Sequence, residues 1–212
     1  MAKCIIFCAG MCGDLLSMPG PTDYIISADG GLRHVQAHGI SPNEIMGDFD
    51  SLGYIPQNAT VYPVEKDDTD AILAARRGME LGFREFWFYG SLDGPRLDHT
   101  IANLQMLRFL QEQGAMGYLI GKTQIATVVT NSSLLFCGAG GTVSVFCVGG
   151  DAAGVTLRGM KYPLDGKTLT DSFPLGVSNQ FASEEAYVSV REGCLLVIWD
   201  RKNGIPERGE AL

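Results

Sequence analysis

Two short aspartate runs in the N-terminal half carry the residue types that a hard metal cation binds. The first is Gly-Asp-Phe-Asp-Ser at 47–51, and the second is Lys-Asp-Asp-Thr-Asp at 66–70. The first run follows the apolar stretch Glu-Ile-Met and is predicted to leave the end of a β-strand. Alternate residues of an extended chain point the same way, roughly 7 Å apart, so Asp48 and Asp50 can present both carboxylates to one ion. Phe49 then points the opposite way, into the protein.

Repulsion between clustered carboxylates is the physical reason to expect a cation among them. Two carboxylates about 4 Å apart cost about 1 kcal/mol in water and about 4 kcal/mol at an effective dielectric constant of 20. Oxygen ligands without nearby histidine or cysteine favour Mg²⁺, which usually binds a few carboxylates plus substrate phosphates. The alternative is that these aspartates belong to loops and helix caps, with Asp67 capping a helix that Asp70 enters at its third position. Either run alone fits both interpretations, whereas two runs separated by one short strand favour the metal site.

Composition indicates a folded, glycine-rich globular protein. The 212 residues are 46% hydrophobic and 19% charged, and they include 27 glycines. The net charge is −8, and the acidity is concentrated in residues 1–121, which hold 15 Asp and Glu against 8 Lys and Arg. A nucleic-acid-binding protein needs a basic face, so we expect no nucleic-acid partner.

The N-terminus and the cysteines bear on the cellular compartment. No apolar run approaches the ~18–20 residues of a membrane span, so we expect no membrane association. The apolar run within Met1–Gly10 is short and ends in a glycine turn, so it predicts a buried strand rather than a secretion signal. The six cysteines lack Cys-x-x-Cys spacing, and three of them lie in apolar, strand-like runs. These features predict a reduced, cytoplasmic protein.

Apolar runs alternate with helical patterns as far as residue 121. The predicted strands are Lys3–Ala9, Tyr24–Ser27, Ile45–Met46, Thr60–Val64, Glu85–Tyr89 and Tyr118–Ile120. The predicted helices are Leu32–His38, Asp68–Leu81 and His99–Gln113. The alternation, with strands that lack regular polar positions, predicts a mostly parallel sheet in a three-layer α/β domain spanning residues 1–121.

The predicted strand ends converge on one place. In a parallel sheet, ligands bind outside the carboxyl ends of the strands. Asp29, the pair Asp48 and Asp50, the run at 67–70 and the loop at 90–99 each follow a predicted strand. We therefore expect these segments to gather at one edge of the sheet and to form a single site.

Residues 122–212 follow a different pattern. Short apolar strands recur about every 10 residues, separated by glycine-rich turns, and this predicts a β-sandwich or small barrel as a second domain. The predicted strands are Ile125–Val129, Ser133–Phe136, Thr142–Val148, Val155–Leu157, Leu164, Tyr187–Val190 and Cys194–Ile198. The polar tail at 200–212 is expected to be frayed.

An ordered set of motifs resembles the thiamine pyrophosphokinase (thiamine diphosphokinase) family over nearly the whole chain. The motifs are Ala28-Asp-Gly-Gly31, Gly47-Asp-Phe-Asp-Ser51, Lys66-Asp-Asp-Thr-Asp70, Gly90-x5-Arg96-x-Asp98-His99, Leu157-x-Gly-x-Lys-Tyr-x-Leu164 and Gly176-Val-Ser-Asn179. The resemblance implies that the α/β domain carries Mg·ATP and that the β domain helps to bind thiamine. It also implies a homodimer with active sites shared between subunits. The family transfers the terminal diphosphate of ATP to the thiamine hydroxyl and leaves AMP.

Individual residues receive roles on this basis. We expect Asp48, Asp50 and Asp70 to bind Mg²⁺, directly or through water, and the resemblance adds Asp29 to the same acidic pocket. The planar guanidinium of Arg96 suits phosphate oxygens. The expected catalytic residues are Asp29, Asp48, Asp50, Asp70 and Arg96, and the expected substrate-binding residues are Asp67, Thr69, Asp98, Ser178 and Asn179.

Several of these residues also have a structural interpretation. Arg96 fits an exposed loop, Asp98 can cap the following helix, and Ser178-Asn179 fits a turn. His34 and His38 lie four apart on one predicted helix without a carboxylate partner, so a solvated helix face is predicted for them.

Two other functions fit parts of the pattern. Paired aspartates also occur in metal-dependent phosphoesterases, but such sites usually recruit histidine, and only His99 lies near an acidic motif. A non-catalytic nucleotide or thiamine sensor would be marked by the loss of an acidic ligand. None of the four acidic positions is replaced here, which favours the diphosphotransferase.

Overall fold

The computed structural model describes residues 2–65 and 67–212. The chain divides into two compact units, Met1–Lys122 and Thr123–Leu212. Lys66, which begins the second acidic run, lies outside the described residues. In the described part of the chain the longest helix has 16 residues, and no helix is long and apolar enough to cross a membrane.

The first unit is built on a parallel sheet. Its described elements are β1 (Cys4–Phe7), β2 (Tyr24–Ala28), α1 (Leu32–Ala37), β3 (Glu44–Gly47), β4 (Thr60–Val61), α2 (Asp70–Glu80), β5 (Glu85–Tyr89), α3 (Leu97–Glu112) and β6 (Met116–Ile120). The strands are parallel and lie in the order β6-β5-β1-β2-β3-β4. Every residue of β1 is buried, as its uninterrupted apolar run predicts. The predicted α/β class is confirmed.

Two glycines let the long helices lie close to this sheet. A Cβ atom on Gly78 of α2 would come within 2.5 Å of the Phe86 ring and 2.9 Å of the Cys4 sulfur. A Cβ atom on Gly117 of β6 would come within 2.8 Å of Leu107 on α3. Each glycine therefore marks a close contact between a helix and the sheet.

The start of α2 differs from the prediction. The helix begins at Asp70 rather than Asp68, and its N-cap is Thr69, whose Oγ1 accepts a hydrogen bond from the Ile72 amide at 3.4 Å. Asp67, which the structural alternative placed at the cap, is exposed and lies before the cap position. The threonine hydroxyl satisfies one of the amide groups that a helix N-terminus leaves without an intrahelical acceptor.

The second unit is a β-sandwich, as predicted. Its described strands are β7 (Gln124–Val129), β8 (Ser132–Cys137), β9 (Thr142–Cys147), β10 (Ala152–Arg158), β11 (Leu164–Leu169), β12 (Asn179–Gln180), β13 (Glu185–Val190), β14 (Leu195–Asp200) and β15 (Glu207–Gly209). One antiparallel sheet contains β12-β9-β14-β7 and the other contains β11-β10-β13-β8-β15. The buried Phe136 of β8 meets Trp199 of β14 edge-on at 5.3 Å, which joins the two sheets.

The C-terminal tail is ordered, and the expectation of a frayed end was wrong. Strand β15 pairs antiparallel with β8. Arg208, within that strand, donates hydrogen bonds to the Val128 carbonyl at 2.8 Å and to Thr127 Oγ1 at 3.1 Å. The Leu212 amide donates to Ser189 Oγ at 2.8 Å. A polar tail is therefore held by long-range hydrogen bonds that leave no pattern in the local sequence.

Candidate active site

A cavity of about 520 Å³ opens where the strands of the first unit end. Its walls come from the segments that follow β1, β2, β3 and β5 and from the first turns of α2 and α3. Of the residues expected at the site, the structure places around this cavity Asp29, Asp48, Asp50, Thr69, Asp70 and Arg96. The parallel strand ends thus bring together residues that lie far apart in sequence.

Three carboxylates meet in the cavity and form what we call the acidic cluster. Single carboxylate oxygens of Asp29, Asp48 and Asp50 all lie within 4.8 Å of one another. Asp29 is buried, Asp48 is half-buried and Asp50 is exposed, so the cluster runs from the protein interior to solvent. Asp70 lines the same cavity but lies outside this group of three. The third carboxylate beside Asp48 and Asp50 is therefore Asp29, whereas we expected Asp70.

The backbone between Asp48 and Asp50 turns instead of continuing as an extended strand. Phe49 has φ +61° and is buried, and the Asp50 amide donates to Asp48 Oδ1 at 3.3 Å. The extended geometry assumed from the sequence was therefore wrong, although the burial of Phe49 is confirmed. With this turn, single carboxylate oxygens of Asp48 and Asp50 lie within 4.8 Å of each other.

Asp29 has one oxygen engaged and one oxygen without a partner. Ser51 Oγ donates a hydrogen bond to Asp29 Oδ2 at 2.6 Å. Oδ1 is buried and has no hydrogen-bond partner among the described residues. A buried carboxylate oxygen without a partner costs free energy, which a bound cation would recover. The oxygen-only donors of the acidic cluster therefore fit Mg²⁺.

Two glycines allow the main chain to approach closely beside the cluster. A Cβ atom on Gly10 would lie 2.5 Å from the Gly90 carbonyl oxygen, and one on Gly90 would lie 2.4 Å from the Cys8 carbonyl oxygen. The Gly10 amide donates to the Gly90 carbonyl at 3.0 Å. His34 Nε2 lies 2.6 Å from the Gly10 carbonyl oxygen, so the prediction of a solvated helix face was wrong for this histidine.

Cys8 lines the cavity but is not poised as a nucleophile. Burial, with smaller contributions from the neighbouring Asp70 and Cys12, raises the pKa of its thiol to about 12. The thiol therefore stays protonated at neutral pH, and a protonated thiol neither attacks substrates nor binds metal effectively.

Arg96 lies at the rim of the cavity with an exposed side chain. Its Nη2 donates to Asp98 Oδ2 at 2.6 Å, and this hydrogen bond lowers the pKa of Asp98 and raises that of Arg96. Asp98 lies inside the first turn of α3, with Arg96 at the N-cap, so the capping interpretation was wrong. Asp98 and Asp67 are both exposed, and among the described residues neither is part of the cavity wall.

The Ser178-Asn179 turn belongs to the second unit and combines an exposed residue with a buried one. Ser178 is exposed with φ +57°, and its amide donates to Ser144 Oγ at 3.0 Å. The buried Asn179 side chain accepts from the Tyr162 amide at 3.0 Å and donates to the Tyr162 carbonyl at 2.7 Å. Asn179 therefore fixes the main chain beneath Tyr162, whose side chain is exposed.

Further residues of the cavity wall had no assigned role. Asn103 lies four positions after His99 on α3, so both share a helix face, and its Nδ2 donates to the Ser91 carbonyl at 2.7 Å. That helical spacing is a signal from which Asn103 can be predicted. Ser51 lies inside the first acidic motif, but its partner Asp29 is 22 positions away, so no spacing rule predicts their hydrogen bond.

Comparisons with known families match both units of the chain. The model described as "Thiamin pyrophosphokinase, catalytic domain" matches residues 18–118. The model described as "Thiamin pyrophosphokinase, vitamin B1 binding domain" matches residues 127–195. The two matches together cover most of the sequence and fall separately in the α/β unit and in the sandwich.

Individual proteins that are similar to this chain are also described as thiamine pyrophosphokinases. The curated thiamine pyrophosphokinase of Bacillus subtilis (strain 168) is 27% identical over 82% of this chain and 85% of that protein. A crystal structure of the Bacillus subtilis enzyme has a TM-score of 0.84 at 26% identity, covering 93% of this chain and 98% of that one. The Geobacillus thermodenitrificans structure has a TM-score of 0.78 at 25% identity, covering 94% and 97%. A structure of thiamin pyrophosphokinase from Candida albicans shares the fold at 13% identity, with a TM-score of 0.75 and coverage of 94% and 88%.

Proposed function

Because this chain belongs to the thiamin pyrophosphokinase family, we propose that its first unit binds Mg·ATP in the cavity and that its second unit helps to bind thiamine. The enzyme transfers the diphosphate group of ATP to the hydroxyl of thiamine and releases AMP. The observation that carries the proposed site is the acidic cluster of Asp29, Asp48 and Asp50 at the strand ends.

Mg²⁺ would be held by the acidic cluster together with Asp70, which lines the same cavity. The buried Oδ1 of Asp29 supports this assignment, because no group among the described residues donates a hydrogen bond to it. An ion held there would supply positive charge that stabilises the negative charge of the diphosphate during its transfer.

The remaining residues of the cavity position the substrates. Arg96, held by Asp98, presents its planar fork to phosphate oxygens at the rim. Thr69, in the cavity wall, and the exposed Asp67, which lies two positions earlier and outside that wall, contribute to substrate binding. The thiamine hydroxyl loses its proton during attack, and a carboxylate of the cavity accepts it.

The second unit contributes to thiamine binding through the Ser178-Asn179 turn. Large apolar side chains around this turn are more than half exposed, namely Tyr162, Phe173, Leu175 and Val177. Exposed apolar residues on a sandwich support the proposal of a homodimer with shared active sites. In the part of the chain that the structure describes, no two cysteines form a disulfide bond, and we infer a reducing, cytoplasmic environment.

Incubation of the pure protein with thiamine and Mg·ATP tests the function. We expect thiamine diphosphate and AMP in equal amounts. Phosphate release that needs no thiamine would instead support a phosphoesterase, and tight nucleotide binding without turnover would support a sensor. Omission of Mg²⁺ in the presence of a chelator is the control for the metal.

A further inference from the structure

Ser51 connects the first acidic motif to two other segments of the site. Its hydroxyl donates to Asp29 Oδ2 at 2.6 Å. Its main-chain carbonyl accepts a hydrogen bond from Nη2 of Arg33, on α1, at 2.6 Å. The residue is therefore held through its backbone while its side chain is directed at the buried carboxylate of the acidic cluster.

Gly30 provides the space that this hydroxyl needs. A Cβ atom on Gly30 would lie 2.5 Å from Ser51 Oγ and 3.0 Å from the Cβ atom of Ala9. Gly30 is not among the residues with positive φ. The absence of a side chain at Gly30 therefore leaves the space that the serine hydroxyl occupies, and a Cβ atom there would force that hydroxyl to move.

We propose that Ser51 is a positioning residue for the divalent cation. Its hydroxyl, with Gly30 making room and Arg33 holding its carbonyl, occupies Oδ2 of Asp29 and leaves Oδ1 as the oxygen that binds the ion. A carboxylate rotates freely unless a neighbour fixes it, and groups that hydrogen-bond metal ligands set the ligand orientation. The proposal rests on the proposed function only in requiring that the acidic cluster binds a divalent cation.

Mn²⁺ titration followed by electron paramagnetic resonance tests this role without turnover. The protein is free of nucleotide and thiamine, and Mn²⁺ serves as the probe in place of Mg²⁺. We expect Ser51→Ala to weaken Mn²⁺ binding roughly 10–100-fold, the usual effect of removing a group that orients a metal ligand. Ser51→Thr keeps the hydroxyl and should restore most of the affinity.

Gly30→Ala provides an independent route to the same defect. The added methyl group should displace the Ser51 hydroxyl from Asp29 while the serine itself remains. Both changes break the same hydrogen bond, from Ser51 Oγ to Asp29 Oδ2. The double variant should therefore bind Mn²⁺ no more weakly than Ser51→Ala alone. Ser27→Ala is the matched control, because Ser27 is buried two positions before Asp29 and its hydroxyl has no hydrogen-bond partner among the described residues.

The outcomes separate a positioning role from a purely structural one. Mn²⁺ affinity of Ser51→Ala within about twofold of the wild type would overturn the proposal, since loss of an orienting group costs far more. A loss that Ser51→Thr does not repair would overturn it as well, because the hydroxyl would not be responsible. If Ser51→Ala fails to fold, Gly30→Ala carries the test. If the wild type itself binds no Mn²⁺, the cluster is not a cation site, whereas the diphosphotransferase assay still decides the activity separately.

Discussion

Three residues that bear on the proposed chemistry have left-handed backbone conformations that only glycine adopts easily. Asp29, Phe49 and Ser178 have φ of +47°, +61° and +57°. Such conformations cost on the order of 1–3 kcal/mol each and persist only where the surroundings stabilise them. At Phe49 the burial of the ring, about 1.5–3 kcal/mol, offsets this cost. The positive φ at Phe49 turns the chain between Asp48 and Asp50, whose carboxylate oxygens lie within 4.8 Å of each other.

Two buried thiols should make the protein less stable in alkali. Burial raises the pKa of Cys4 and of Cys8 to about 12 from an ordinary value of 9.0. Below pH 9 both thiols are protonated in the folded and the unfolded chain. As the pH rises from 9 towards 12 the unfolded chain loses these protons first, so the free energy of unfolding falls. By pH 10 we expect a loss of about 1 kcal/mol for each thiol.

Urea unfolding at pH 7 and pH 10 measures this effect. The variant Cys4→Ala should lose about 1 kcal/mol less than the wild type between the two pH values. Cys137→Ala is the control, because Cys137 is exposed and its removal should leave the decline unchanged. An identical decline in Cys4→Ala and wild type would show that Cys4 ionises equally in both states.

The sequence was informative about which acids lie at the site and less so about how they are arranged. Asp48 and Asp50 were predicted from their spacing to share a site, and the structure places both carboxylates beside one cavity, whereas their role as metal ligands stays a prediction. The turn at Phe49 was not predicted, because a positive φ at an aromatic residue has no local signature. The contact from Ser51 to Asp29 depends on the pairing of β2 with β3, which is a tertiary property.

The strand ends gather the site because the sheet is parallel and its helices are closely packed. The segments after β1, β2, β3 and β5 reach one cavity, and α2 and α3 begin at its wall. The predicted bounds of β5 match the structure because four consecutive aromatic residues, Phe86–Tyr89, follow Glu85 and mark the strand. Strands β12 and β15 were missed because they are short and partly exposed, and their pairing partners lie far away in sequence.

Alanine substitution should distinguish the two candidate caps of α2. Thr69→Ala removes the hydroxyl that accepts from Ile72, and we expect it to lower the free energy of unfolding by about 1 kcal/mol. Asp67→Ala should have little effect, because Asp67 is exposed before the cap position. Thermal melting of the two apo variants is the measurement. A larger loss for Asp67→Ala would restore the capping role that the sequence suggested for it.

For the whole molecule, complementation between inactive variants tests the proposed shared active site. One parent carries Asp50→Asn in the first unit, and the other carries Ser178→Ala with Asn179→Ala in the second. If each site takes residues from both subunits, a mixed dimer contains one intact site and one doubly defective site. Mixing should therefore restore activity to about half of the sites in the mixed dimers. Different affinity tags on the two parents report whether the subunits have exchanged.

Three controls sharpen this experiment. Each parent mixed with itself should remain inactive. A parent carrying all three substitutions should not complement the Asp50→Asn parent, because their mixed dimer contains no intact site. Absence of recovery after demonstrated exchange, or a monomer in solution, would mean that each chain builds its own site.

Replacing carboxylates of the acidic cluster by amides is the direct test of whether the cluster holds a metal ion for catalysis. Asp48→Asn and Asp50→Asn keep the shape of the side chain and remove the charge. Relief of repulsion, about 1–4 kcal/mol per close pair, should leave each apo variant at least as stable as the wild type. We predict an unchanged or higher melting temperature together with loss of most thiamine diphosphate formation. A lower melting temperature with turnover retained would contradict the account, because the aspartates would then support the fold and not the chemistry.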